Sequence, residues 1–341
     1  MKHLAIIMAA GTLLAAGTPS FAQKAPVSLS AEQLRQTCDR ACLIEVMDQY
    51  LAAMVANDPR LARFGTHIKF TENGVVLPLG SASWRTMEEL GKFRQYVADP
   101  TAQSVGFHGT FKERGQSSIL SVRLKLVDRL IVEAEQIVVR RNEAGAAAWD
   151  ERMEPGKRAF TNATWNDTLK PSERVSRDHM IAIVNSYFSS IQGGAATPVP
   201  FAPDCYRIEN GYMTAGAPET GADATIMPGA PAAHSREHCT EQLGVKGFFV
   251  FNNQLRDRRF LVIDEEKGIV FSHVFFDHAG IDRFRTGPNG EKQQISPRVG
   301  LPNSLHIHEM FWIKNGKIQH INANLNSGFY GMSSGWEDRD Q

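Results

Sequence analysis

The sequence predicts an α+β protein in which one helix-and-sheet module is used twice. Three observations carry this. Two amphipathic stretches, 39–57 and 177–194, carry matching apolar stripes whose residues lie 137 positions apart. Two Glu-Asn-Gly turns, Glu72-Asn73-Gly74 and Glu209-Asn210-Gly211, repeat at the same spacing. Finally, paired alternating segments closed by tight turns follow in the same order in each half.

Taken from the start, Met1–Ala22 has the make-up of a secretory signal peptide. Lys2 supplies the positive charge, Leu4–Ala16 the apolar run and Ser20-Phe21-Ala22 a small-x-small cleavage site. That run falls short of the roughly 20 residues a membrane span needs. No later stretch is long and apolar enough either, so the mature chain is expected in the periplasm or outside the cell, away from the membrane. Residues 23–37 are expected to form an extended or short helical arm.

The first module is expected over 38–141, a linker over 142–175 and the second module over 176–341. Leu43, Val46, Met47, Tyr50, Leu51 and Met54 fall on one helical stripe, as do Met180, Ile183, Val184, Tyr187, Phe188 and Ile191. Each Asn-Gly suits a turn, because both residues tolerate positive φ. The spacing then grows to 165, where Arg94–Gly115 and Arg259–Gly280 match as hairpins. The Gly-, Ala- and Pro-rich stretch Ala215–Ser235 reads as a loop inserted in the second copy. A second insertion, Ile281–Pro302, precedes the closing hairpins, where Ser117–Arg140 is matched with Asn303–Leu325. A long helix across a curved antiparallel sheet would make a layer with a concave pocket.

Lys plus Arg and Asp plus Glu each number 37, so no net field steers the protein toward nucleic acid. Four cysteines in an exported chain favour disulfides. Three pairings are open; pairing within each half is favoured, with Cys38 just before the helix that Cys42 enters. A zinc site made by these cysteines lacks the paired C-x-x-C spacing. The absence of a P-loop and of a G-x-G-x-x-G after a strand argues against nucleotide use.

The order of elements, and above all His308–Ala323, resembles the SnoaL-like branch of the nuclear transport factor 2-like superfamily. The Glu-Asn-Gly segments, Asp257–Asp264, Val274–Gly280 and Tyr330–Trp336 resemble a secreted, largely uncharacterised family in which that module is duplicated. The resemblance implies two tandem SnoaL-like cones and acid–base chemistry in the mouth of a cone without a cofactor. It carries over no catalytic residues.

Strand alternation then nominates side chains. Leu120, Val122, Leu124 and Leu126 form an aliphatic face, and the matched positions are assigned to His306, His308, Met310 and Trp312. Polar groups on a core-facing sheet surface are costly unless hydrogen-bonded, so His306 and His308 become catalytic candidates. Asp277 and His278 replace Lys112 and Glu113 of the first copy and rank above His273, whose counterpart His108 is retained. Met310, Trp312, Asn322, Asn324, Tyr330 and Trp336 are candidate substrate contacts, the last two as part of an aromatic tail that could lid the pocket. His306-Ile307-His308 also has zinc-ligand spacing, with Asp277, His278 or His273 to complete it. Acid–base use without metal is the preferred reading, and no metal or cofactor is expected. Glu309 is read as an interface residue facing Arg123, with a buried general base as the alternative.

The expected function is an acid–base lyase, dehydratase or isomerase acting on a hydrophobic, aromatic small molecule, with lignin-derived dimers a candidate class by resemblance. A non-catalytic periplasmic binding module is the alternative. The two copies are expected to pack as a pseudo-dimer, with homo-oligomer formation left open.

Overall fold

The computed structural model describes residues 37–140, 165, 167–194, 197–217, 236–287 and 289–337. The signal peptide, all of the arm before Thr37, most of the linker and residues 218–235 of the first insertion lie outside the described residues.

Each half begins with a helix whose start is set by a side-chain cap. In α1 (Arg40–Val55), Asp39 accepts a hydrogen bond from the Cys42 amide at 2.9 Å. In α2 (Arg177–Gln192), Ser176 caps the first turn. The buried stripes contain Leu43, Val46, Met47, Tyr50, Leu51 and Met54 in α1, and Met180, Ile183, Val184, Tyr187, Phe188 and Ile191 in α2. Cys38 is bonded to Cys42 and Cys205 to Cys239, each pair within its own half. Cys38 precedes α1, which spares the bridge the unfavourable i, i+4 geometry of a regular helix.

The first half continues as β1 (Phe64–Glu72), β2 (Val75–Val76), β3 (Met87–Asp99), β4 (Ser104–Glu113), β5 (Gln116–Val127) and β6 (Leu130–Val139). After α2 the second half gives β7 (Phe201–Glu209), β8 (Tyr212–Ala215), the short α3 (Cys239–Gly244), β9 (Gln254–Asp264) and β10 (Ile269–His278). The second insertion is no plain loop, since it holds the hairpin β11 (Phe284–Thr286) and β12 (Lys292–Gln294). The last strands are β13 (Asn303–Lys314) and β14 (Lys317–Gly328).

The two six-stranded sheets share one topology, β2-β1-β6-β5-β4-β3 and β8-β7-β14-β13-β10-β9. Neither is wholly antiparallel, because β1 runs parallel to β6 and β7 parallel to β14. In each half the helix covers one sheet face, over cores that include Tyr50, Phe70 and Val122 in the first and Tyr187, Ile307 and Phe311 in the second. The other faces pack on each other. Ser121 Oγ lies 3.0 Å from His308 Nδ1, Asn322 Nδ2 donates to Gln95 Oε1 at 3.3 Å, and the Phe271 ring fills the space beside Gly106.

The closing hairpins fix the correspondence between the halves. Asp128 and Arg129 have φ of 50° and 59°, and Asn315 and Gly316 have 52° and 70°, as two-residue hairpin turns with positive φ at both positions require. Val127 pairs with Leu130 and Lys314 with Lys317. Lys314 therefore corresponds to Val127, 187 positions apart rather than the 186 of the Ser117–Asn303 match. A one-residue slip exchanges the faces of a strand. His306 corresponds to Ile119, His308 to Ser121 and Glu309 to Val122. The sequence-level assignment of His306, His308, Met310 and Trp312 to the helix side is thus corrected: they face the opposite sheet, and Glu309 faces the helix.

The halves are also clasped reciprocally. Arg177 of α2 reaches Asp99 at 2.6 Å, and Arg40 of α1 reaches Asp264, with one contact at 2.8 Å. Asp99 accepts the Ile263 amide at 3.0 Å, and Asp264 accepts the Ala98 amide at 3.2 Å. From the linker, Trp165 and Leu169 are buried with Val262, Phe271, Met310 and Trp312.

Candidate functional site

Strand β13 feeds two groups of ionisable side chains, one on each face. On the interface side stand His273 of β10 and His306 and His308 of β13, with Glu135 of β6 reaching in from the first half. Their ring centroids are 4.9 Å (His273–His306), 5.8 Å (His273–His308) and 6.1 Å (His306–His308) apart. All are essentially inaccessible to solvent. Glu135 is gripped by Arg259 through both oxygens, at 2.7 and 2.9 Å. Burial would push its carboxyl up, but His308 and Arg259 overturn this and hold it well below the usual carboxylate range. Burial, with the neighbouring His308, lowers His306 to about 3. Burial, Arg259 and His306 lower His273 well below its ordinary value, and burial also lowers His308. The rings are therefore neutral at pH 7.

This group is poorly satisfied. Among the described residues, His273 Nε2, both nitrogens of His306, His308 Nε2 and both amide atoms of Asn324 are buried without a hydrogen-bond partner. Buried polar atoms in native proteins normally find one.

Apart from Asn324, the remaining candidates separate from these three histidines. Asp277 shares their face but is held by Arg256 at 2.7 Å and by Ser304 at 2.5 Å. His278 points to the other face and meets Asn252 at 2.8 Å, so Asp277 and His278 do not act as one strand-end pair. Met310 lies in the apolar interface cluster. Trp312 donates to the Lys267 carbonyl at 3.0 Å and stacks on His320 at 5.1 Å. Asn322 bonds Gln95, and Asn324 pairs with His308 across the β13–β14 ladder. The aromatic tail bridges both halves: Trp336 donates to Thr71 of the first half at 2.9 Å, Ser334 donates to Asp257 of the second at 2.6 Å, and Tyr330 is half exposed.

On the helix side, Glu309 is buried 3.4 Å from the Tyr187 hydroxyl. Arg207 of β7 is also buried; it meets Glu209 at 2.9 Å and donates to Gln242 Oε1 at 2.8 Å. The Cys205–Cys239 disulfide ties α3 to β7 and so presents Gln242 to Arg207. Burial, reinforced by Glu209, raises the Glu309 carboxyl to about 8. Glu309 Oε2 and Arg207 Nη1 have no hydrogen-bond partner among the described residues.

The first half is the internal control. Phe70 stands where the second half has Arg207, and Val122 where it has Glu309. Its own polar network is largely satisfied, although the Trp84 indole nitrogen beside Tyr50 is buried without a partner among the described residues. Tyr50 donates to Gln136 Oε1 at 3.0 Å, and Gln136 donates to Glu72 at 2.9 Å and Ser83 at 2.7 Å. The corresponding region of the second half leaves Glu309 Oε2 and Arg207 Nη1 without partners among the described residues. Sequence reasoning missed Arg207; the signal was an arginine at the position of Phe70 at the 137-residue spacing. It missed Glu135 as a partner of the histidines because that contact joins the two halves.

Residues 173–325 match the family described as Domain of unknown function (DUF8021). The match runs from just before α2 into β14. It therefore spans the histidines, Arg207 and Glu309 of the second half and excludes Glu135. No curated protein matches the chain.

Proposed function

We propose that the protein is an exported acid–base enzyme of the lyase, dehydratase or isomerase kind. In this reading it acts on a hydrophobic, aromatic small molecule bearing a carbonyl or hydroxyl oxygen, and the site lies on the helix side of the second half. The single observation that carries the reading is the pair of buried, unsatisfied groups, Glu309 Oε2 and Arg207 Nη1, where the first half has valine and phenylalanine. Leaving such groups unpaired costs stability, so a bound oxygen that satisfies both is their natural complement.

A helix laid across a curved sheet whose first strand lies beside its last supports reading each half as a SnoaL-like cone. The two disulfides support export. Protonated at neutral pH, Glu309 donates to the substrate oxygen, and Arg207 stabilises the negative charge that develops there. Glu209, held by Arg207, is the base within reach of the same region. The surrounding Tyr187, Phe188 and Phe311 rings give an aromatic substrate its apolar contacts.

The test is turnover of a panel of aromatic β-hydroxy ketones and aryl ethers by the purified chain, followed by chromatography. Glu309→Gln should lower the rate on any active member by about 100- to 10,000-fold, the usual range for a general acid, while substrate still binds. Undiminished turnover in Glu309→Gln would exclude this site. Binding without turnover by the wild-type chain would leave a ligand-binding module instead.

A further inference from the structure

The histidines on the interface side have no part in that chemistry, and a second site follows from them independently. We propose that Glu135, His273 and His306 bind one divalent transition-metal ion of zinc-like ligand preference between the two sheets, joining the halves through the metal. One ligand atom from each of the three lies within 4.8 Å of the others. Ligands about 2.1 Å from a tetrahedral zinc ion stand roughly 3.4 Å apart, so small ring rotations complete the approach.

Each ligand is prepared by its surroundings. His273 Nδ1 lies 3.0 Å from the Asp257 carbonyl, an acceptor only, so that nitrogen carries the proton and Nε2 keeps a free lone pair. Fixing a metal-binding imidazole through its other nitrogen is the usual outer-shell arrangement. His306 has neither nitrogen engaged, and its ring is held in plane by Phe275, stacked 4.7 Å away. Glu135 is kept anionic by Arg259, whose two bonds leave further lone pairs on the carboxylate.

An ordinary buried polar cluster would satisfy itself internally. Here the free ring nitrogens converge on one carboxylate instead. Two imidazoles and a carboxylate suit zinc, cobalt or iron(II) and not magnesium or calcium, which take oxygen ligands. His308 flanks the site, 3.9 Å from Glu135, and is anchored through Nδ1 to Ser121. Because Glu135 comes from the first half and both histidines from the second, the ion would act across the interface. This departs from the expectation that no metal is used.

The experiment uses the untagged full chain, stripped with chelator and then titrated with Zn²⁺ or Co²⁺. The expected result is one equivalent bound by elemental analysis, a raised melting temperature, and visible d–d absorption of Co²⁺ with nitrogen and oxygen ligands. His306→Gln and Glu135→Gln should each weaken binding at least 100-fold, whereas Glu309→Gln, on the other face of β13, should retain the metal. If those variants do not fold, the Co²⁺ spectrum of the wild-type chain decides. The proposal is overturned by a stripped chain that binds no metal and shows no d–d bands. Full occupancy persisting in a His273→Gln/His306→Gln variant would overturn it equally.

Discussion

Glu309 stands where the first half places Val122, and this exchange has a pH signature. In the fold its carboxyl is raised from 4.5 to about 8, chiefly by burial. Below pH 4.5 it is neutral in both folded and unfolded chains. Between pH 4.5 and about 8 the unfolded chain releases this proton and the folded chain keeps it, so stability falls as pH rises through that window. Glutamine has the shape of the protonated acid but cannot ionise. The stability advantage of Glu309→Gln over the wild-type chain should therefore grow from pH 4.5 to about 8 and then level off. Its size should be on the order of a few kcal/mol. Thermal melts across that range check it. A gap that does not change with pH would mean that Glu309 is ionised throughout.

At the scale of elements, helices and hairpins were legible because their signals are local. The apolar stripes of α1 and α2 and the Asn-Gly turns each report on a few adjacent residues. The facing of β13 was not legible by alternation, because both of its faces are buried: Leu305, Ile307, Phe311 and Ile313 meet the helix side, and His306, His308 and Met310 meet the other sheet. Only the turn fixes the register. Aligning Asp128-Arg129 with Asn315-Gly316 would have put His308 opposite Ser121 at once. Glu135 was legible as one of two carboxylates on β6, with Glu133, but nothing local names its partners. The same packing logic predicts an overpacking effect at β4. A Cβ added at Gly106 would stand 3.1 Å from the Phe271 ring, which sits in a tightly filled interface. Gly106→Val should destabilise the protein by about 1–3 kcal/mol. Phe271→Ala in the same chain should recover part of that loss, because the two changes share one space. Additive losses in denaturant titrations would show that the interface does not pack there.

At the scale of the whole molecule, the two halves hold each other through one contact used twice. Arg177–Asp99 and Arg40–Asp264 join equivalent residues, and each aspartate also accepts a backbone amide from the partner half's third or ninth strand. Both carboxylates are buried, so removing either orphans an amide N–H and takes a partner from a partly exposed arginine, Arg40 keeping Glu266 at 2.8 Å. Leaving a buried amide without its acceptor costs about 1–3 kcal/mol. Asp99→Ala and Asp264→Ala should therefore destabilise the chain by similar amounts within that range. Either change should loosen both halves together, since each clasp ties the helix start of one half to the hairpin of the other. Hydrogen exchange checks this directly: protection in β5 and β13 should fall in both variants. If Asp99→Ala released only the first half, or if one variant were silent, the clasps would be separate local contacts instead of one pseudo-symmetric joint.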